Sequence, residues 1–267
     1  TEALAVSLAG LMLAQRAFGG LTGGLAALSR AAIAWTQVAD LLAQGRLRPA
    51  PRPFLSPEAS SVGRGTGSLD VQGVSYRYPG ALQPTLQEVD LRIDGDARIL
   101  LEGGSGGGKS TLAALLAGLR APDSGLILLN GLDRHTLGDD WRRQATLAPQ
   151  FHENHILSGS LAFNLLMGRS WPGSEDDLAE AEALCLELGL GDLLRRMPAG
   201  LLQRVGETGW QLSHGERSRI FLARALLQGA QLTILDESFA ALDPETLETC
   251  LRAARNRHGA LVVVAHP

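Results

Sequence analysis

Lys109 stands in the run Gly103-Gly104-Ser105-Gly106-Gly107-Gly108-Lys109-Ser110-Thr111, and it is the only lysine among the chain's 24 basic residues. The run fits G-x-x-x-x-G-K-[ST], a loop whose backbone N–H groups cradle phosphates. An ammonium is a compact point charge on a thin stem, whereas the guanidinium fork needs more room. A compositional bias towards arginine accounts for the missing lysines but not for where the remaining one sits. The loop predicts binding of a nucleoside triphosphate. A second group closes the apolar run Leu232-Thr233-Ile234-Leu235-Asp236-Glu237. At a strand end beside a phosphate loop, Asp236 can hold Mg²⁺ directly or through water, with the Ser110 hydroxyl as a further ligand. Glu237 can then orient and deprotonate an attacking water. A solvated strand-end pair is the plain alternative, and the glycine loop upstream weighs against it. In a third group, Ser213 with Glu216 three residues later is a capping box that sets a helix N-terminus. Such a terminus attracts anions, although an ordinary cap would look the same.

These residues need elements to hold them. Leu69–Val74 and Arg98–Glu102 read as strands before the glycine loop, and Thr111–Leu119 as a helix after it, which is the context a phosphate loop requires. Gly125–Asn130 is a further strand. Glu175–Leu188 and Arg217–Leu227 read as helices, and Leu232–Leu235 and Ala260–Ala265 as short buried strands. Strands alternating with helices imply a parallel sheet with the phosphates at the carboxyl ends of its strands.

Ahead of this lies a different composition. Ala3 to Ala14 is nearly all apolar but too short to span a bilayer, which takes about 20 residues. It reads either as the last turns of a membrane helix or as a buried helix. From Arg16 to Leu42 apolar residues recur at helical spacing through Leu28, Ile33, Val38, Leu41 and Leu42. Residues 45–68 carry Pro49, Pro51, Pro53 and Pro57 with Gly63, Gly65 and Gly67, the composition of an extended linker. The expected division is therefore 1–44 for the end of a membrane helix and its extension, 45–68 for the linker and 69–267 for the nucleotide-binding domain. The chain starts at Thr1 and ends at Pro267 after an apolar run, so a larger protein cut at both ends, with this domain short at its C-terminal side, is expected. Thr1 to Ala14 shows no basic n-region and no cleavage site of a signal peptide.

The net charge of −4, with both signs dispersed, gives no electrostatic footprint for nucleic acid, and no nucleic-acid partner is expected. Cys185 and Cys250 are too few for a disulfide framework or a zinc site and are expected to pack in the core.

Taken in order, the motifs resemble the nucleotide-binding domain of an ATP-binding cassette (ABC) transporter over roughly Leu69 to His266. The glycine loop resembles Walker A, Leu232–Glu237 Walker B, and Leu212-Ser213-His214-Gly215-Glu216 the family signature. Leu147-Ala148-Pro149-Gln150 resembles the Q-loop, Ala241-Leu242-Asp243 the D-loop, and Val262–His266 the strand that delivers the switch histidine. Val74–Pro79 resembles the aromatic A-loop. The resemblance implies an α/β P-loop NTPase with a RecA-like parallel core, an antiparallel β subdomain and an α-helical subdomain. It implies ATP and Mg²⁺ as cofactors, Tyr78 stacked on adenine, and phosphate contacts from Gly103 through Thr111. Catalysis would fall to Glu237, Lys109, Gln150 and His266, and the metal to Ser110, Gln150 and Asp236. In that family two cassettes, from the same or a homologous chain, meet head to tail. Ser213, Gly215 and Asp243 would then contact nucleotide at the shared interface. Two departures stand out: His214 replaces the first glycine of the signature pair, adding bulk close to the partner's phosphate, and Glu216 replaces glutamine while preserving the capping box. Gly104 stands where proline is frequent.

Arg204-Val205-Gly206-Glu207-Thr208-Gly209 resembles the X-loop of exporter cassettes, and Phe151–Asn164 resembles the exporter stretch after the Q-loop. The implied protein is a membrane–cassette fusion in the cell's inner membrane, with the cassette on the cytoplasmic side. The membrane domain would meet it through the Gln150 and Glu207 regions, and lipid would surround that domain. A soluble ABC ATPase acting on nucleic acid or ribosomes is the alternative. It would need a second cassette or long coiled coil and a basic face. A regulatory cassette that binds ATP without turnover is disfavoured by Glu237.

Overall fold

The computed structural model describes residues 68–265 and, before them, a set of positions between 10 and 35. These belong to separate units. The described positions between 10 and 35 are helical and exposed. Among the described residues no helix is long and apolar enough to cross a membrane. Most of Ala3–Ala14, the linker as far as residue 67, and His266 lie outside the described residues.

In chain order the strands of the larger unit are β1 (Leu69–Tyr76), β2 (Leu86–Ile93), β3 (Arg98–Glu102), β4 (Ser124–Leu129), β5 (Leu132–Asp133), β6 (Ala145–Ala148), β7 (Gly159–Ser160), β8 (Arg204–Val205), β9 (Leu232–Asp236) and β10 (Ala260–Ala265). The α-helices are α1 (Lys109–Leu116), α2 (Arg134–Leu137), α3 (Asp140–Gln144), α4 (Leu161–Leu165), α5 (Glu175–Glu187), α6 (Gly191–Arg196), α7 (His214–Leu226) and α8 (Pro244–Arg255).

Three sheets form. β3-β10-β9-β6 is parallel throughout, β2-β1-β4-β5 is antiparallel, and β7 pairs with β8. A parallel strand covered on both faces must be apolar along its length, and every residue of β9 is buried. Side chains still alternate between faces. Ile234, Val262 and Val264 pack with Leu112, Leu115 and Leu116 of α1 and with the antiparallel sheet. Leu235 and Leu261 pack on the other side with Ile220 and Leu222 of α7 and with Cys250, Ala253 and Ala254 of α8. That second core continues through Leu161, Leu165, Leu184 and Leu193 of α4, α5 and α6, which form the helical layer.

The expected elements are present, with displaced ends. α1 begins at Lys109 and stops at Leu116 because Gly118, at φ 69°, leaves the helix in the left-handed region while its N–H bonds Leu115 O. β2 is an addition. Its alternation breaks at Glu88, where φ is 45° and the pairing with β1 shifts register. The apolar positions Leu86 and Val89 therefore fall three apart, and a period of two misses them.

Candidate active site

The register of the parallel sheet brings three strand ends together: Ala265 stands opposite Glu102, and Val264 opposite Asp236. The glycine loop leaves β3 at this edge and enters α1. Gly108 is the residue before the helix, with φ 82° and no side-chain cap on the helix's first N–H groups. A Cβ built there would lie 2.8 Å from Leu86 Cδ2 and 3.1 Å from Thr85 O, so both the backbone and the close approach require glycine. Uncapped N–H groups at the positive end of a helix form an anion site. Lys109 is 8 % exposed. Its Nζ donates to Gly103 O at 2.6 Å and to Gly104 O at 3.0 Å, so the ammonium lies folded back over its own loop.

Across the strand ends, Gln150 joins the other parts. Its Nε2 donates to Ser110 Oγ at 3.2 Å and to Glu237 Oε1 at 3.0 Å. The Ser110 hydroxyl also engages the Asp236 carboxyl. Asp236 is 3 % exposed, and its Oδ1 has no hydrogen-bond partner among the described residues. Burial holds this carboxyl above the ordinary aspartate range. The charges of Glu237 and Glu153 push the same way, while Ser110 and the Lys109 ammonium oppose them. A buried carboxylate oxygen without a donor, next to a hydroxyl and facing further carboxylates, suits a hard divalent cation.

Consecutive side chains on a strand point to opposite faces, which would separate Asp236 from Glu237. The chain avoids this by placing Glu237 in the left-handed region at φ 48°, with its N–H bonded to Val264 O at 3.1 Å. Both carboxylates thus converge on the Ser110–Gln150 pair.

Tyr78 reaches the same helix start. Its hydroxyl lies 3.1 Å from Thr111 Oγ1, and the residue remains 37 % exposed. Two neighbours were not foreseen from sequence. Tyr76 meets the ring edge-on at 5.2 Å. The Arg120 guanidinium lies 4.8 Å from its centroid, with Nη1 bonded to Tyr76 Oη at 3.0 Å. The Arg120 relation has no local signal, since it depends on strand β1 passing the end of α1.

The remaining expected site residues make their contacts elsewhere. Ser213 caps α7: Glu216 N–H donates to Ser213 Oγ at 3.2 Å, and Ser213 N–H donates to Glu216 Oε2 at 2.7 Å. Burial works to raise the Glu216 carboxyl, but the Ser213 hydrogen bonds and the ion pair with Arg196 outweigh it and hold it below the ordinary range. A Cβ at Gly215 would come 3.8 Å from Ala241 O, so the start of α7 approaches the turn before Asp243. Asp243 caps α8 through the Thr246 N–H at 3.0 Å, and that bond lowers its pKa. The ring of His214 lies 5.3 Å from that of Phe151, centroid to centroid, at an interplanar angle of 32°. The residue is otherwise exposed.

The two segments resembling exporter features meet in the β7–β8 pair, where Gly159 stands opposite Val205 and Ser160 opposite Arg204. Asn164, fully buried, holds that turn by accepting from Leu157 N at 2.8 Å and donating to Leu157 O at 2.9 Å and Ser160 O at 3.1 Å. Glu207 is exposed beside it.

Comparison with known proteins gives consistent matches. The family model described as ABC transporter matches residues 86–240. The chain is 38% identical over 228 residues to the mycobactin import ATP-binding/permease protein IrtB of Mycolicibacterium smegmatis, covering 83% of this chain and 38% of that protein. It is 35% identical over 210 residues to the ATP-dependent lipid A-core flippase of Salmonella typhimurium, covering 77% of this chain and 35% of the flippase. Among solved structures, a bacterial Atm1-family ABC exporter with ATP bound superposes with a TM-score of 0.66 at 28% identity, covering 74% of this chain and 34% of that one. The chain thus spans a little over a third of the length of these relatives.

Proposed function

The chain belongs to the ABC transporter family, whose shared domain binds ATP, and on that premise we propose that it is the ATP-hydrolysing part of an exporter-type membrane–cassette fusion. The observation that carries this reading is the Gln150 bridge between Ser110 and Glu237 beside the buried Asp236 carboxyl. It joins a phosphate-side hydroxyl, a metal-type carboxylate and a carboxylate base in one network.

ATP is the substrate. Backbone N–H groups of Gly104 to Ser110 and the open end of α1 would receive its phosphates. The Lys109 ammonium would leave the Gly103 and Gly104 carbonyls for the γ-phosphate oxygens, a short movement of a side chain already at the loop. Tyr78 would carry the adenine on its exposed ring. Ser110 and Asp236 would hold Mg²⁺ with Gln150 alongside, and the ion, when bound, supplies charge neutralisation across the terminal phosphates. Glu237 would take the proton of the attacking water, with Gln150 fixing its carboxylate through Oε1. His266 would contact the γ-phosphate, as its place after β10 suggests.

One cassette holds half of the donors. Ser213 is exposed and Gly215 presents no side chain, which supports their action across the interface of a head-to-tail dimer, with Asp243 nearby. The proposed membrane domain belongs to residues 1–44 and whatever precedes them. Met12, Phe18, Leu28 and Trp35 are large apolar residues left exposed there, as suits a helix leaving an inner membrane towards the cytoplasmic side, in contact with lipid at its start. The Gln150 and Glu207 regions are the proposed contacts of the membrane domain. The names of the relatives cover import, lipid flipping and export. The paired Phe151–Asn164 and Arg204–Gly209 segments favour the exporter architecture here.

Lys109→Ala in the full-length protein should abolish ATP turnover and strongly weaken ATP binding. Near-normal turnover in that variant would overturn the proposal.

A further inference from the structure

We propose that His214 is a positioning residue: its ring, set against Phe151, ties the helix end that carries Ser213 to the segment that carries Gln150. The inference rests on the reading above, in which Gln150 serves the chain's own ATP site and Ser213 the partner's.

His214 is the first residue of α7, between Ser213 and Gly215. Phe151 immediately follows Gln150. The two rings lie 5.3 Å apart at 32°, within the range of aromatic pairs that attract one another. The contact is part of a longer seam. Phe151 also meets Phe221, two turns along α7, at 5.7 Å. Arg224, one turn further, lies 5.5 Å from the Phe221 ring. Its Nη1 donates to Asn154 Oδ1 at 2.9 Å and its Nη2 to His155 O at 3.2 Å. One face of α7 therefore grips the segment 151–155 from end to end, and His214 is the member of that face nearest the proposed interface. A glycine at 214 would leave the grip starting two turns further from Ser213.

A shift of Gln150, as its hydrogen bonds to Ser110 and Glu237 change with nucleotide, displaces Phe151. The ring contact passes that displacement to His214, the residue beside Ser213. In a head-to-tail dimer this links occupancy of one site to the presentation of Ser213 at the other.

The test is a double-mutant cycle on steady-state ATP turnover by the full-length protein, with H214A, F151A, the double variant, H214F and H214Q. Each single truncation should lower kcat about two- to twelvefold, the size of one aromatic pair, with KM for ATP held within about twofold. The double variant should be no worse than the poorer single, because both remove the same contact. H214F should restore kcat and H214Q should not. Losses that multiply, a loss confined to KM, unchanged kcat in the singles, or an H214F as slow as H214A would each overturn the proposal. If F151A fails to fold, F151L keeps the apolar volume against Phe221 without the ring and takes its place in the cycle. Lys109→Ala is the control on the underlying reading. Turnover surviving in K109A sinks that reading, whereas an inactive K109A with an additive cycle sinks only the role of His214.

Discussion

Replacing Asp236 by asparagine should tighten the metal-free cassette and, in the same variant, remove most of what Mg²⁺ and ATP contribute to its stability. The carboxyl is 3 % exposed, and its Oδ1 has no donor among the described residues. A buried polar atom without a partner costs about 1–3 kcal/mol, and more when charged. Asparagine keeps one orphaned atom but sheds the charge, so the expected gain is about 1 kcal/mol, or roughly fivefold in an opening equilibrium. Because burial raises the pKa of Asp236, the protonated form is favoured by folding. Its stabilising contribution is complete below the ordinary aspartate value of 3.8 and is lost as pH rises through the raised value. The variant's advantage should therefore be full at neutral to alkaline pH and shrink as the buffer is acidified. Hydrogen exchange of β9 amides in the full-length protein reads this locally. In chelator at pH 8 the variant should exchange about fivefold more slowly than wild type. With Mg²⁺ and ATP at about a hundred times their wild-type Kd, wild type should gain about 2.7 kcal/mol and overtake it. A variant that exchanges faster than wild type in chelator would refute the burial argument. One that gains as much from Mg²⁺ and ATP as wild type would refute the metal role.

Three further outcomes follow from other parts of the molecule. Tyr78→Phe removes only the bond to Thr111, about 0.5–1.5 kcal/mol, and should weaken ATP binding no more than about tenfold, whereas Tyr78→Ala should cost more; equal losses, measured by nucleotide titration, would mean that the ring is not the base's platform. Asn164→Ala removes the two hydrogen bonds that hold Leu157 N–H and C=O in a part-buried turn, each about 0.5–1.5 kcal/mol, and should raise hydrogen exchange across residues 157–160 at least fivefold by the same conversion, about 1.4 kcal/mol per decade; unchanged protection there would show that the β7–β8 pair holds the turn alone. Burial pushes the Cys185 thiol up to about 12 and that of Cys250 up to about 11, so neither should react with a thiolate-seeking alkylating reagent at pH 8 until denaturant is added, and stoichiometric labelling of native protein would contradict their packing.

What could be read from sequence is what chemistry forces into adjacent positions. A phosphate loop must be contiguous because successive backbone N–H groups do the binding, and Asp236 and Glu237 must end an apolar strand for a buried sheet to deliver them. The parallel core was legible for the same reason, as β10 is apolar throughout and β9 is apolar but for Thr233 until Asp236 ends it. The Gln150 network spans separations of 40 and 87 residues, and only the family's motif order pointed to Gln150. Arg120 over Tyr78, Phe151 under His214 and Glu153 facing Asp236 had no such guide. Each depends on where two elements cross, which pattern and spacing do not encode. At His214 the ring meets Phe151, a residue whose proximity no periodicity announces.

The conformation of Glu237 links local strain to the proposed chemistry. A glutamate in the left-handed region costs of order 1 kcal/mol or more relative to extended backbone, and a glycine at 237 would avoid that cost. The neighbouring Asp236 adds a second cost by burying a carboxyl whose Oδ1 lacks a partner among the described residues. Both costs fall on consecutive residues at the one strand end that faces the phosphate loop. A merely structural strand end would relieve either by a single substitution, Glu237 to glycine or Asp236 to leucine, with no loss of packing in β9. The pair keeps both. The left-handed turn is what allows two adjacent carboxylates to address the same hydroxyl and amide instead of opposite faces of the sheet, and the missing donor at Oδ1 is what a divalent cation would supply. Strain and unsatisfied charge at this edge therefore support the proposed phosphate and metal site.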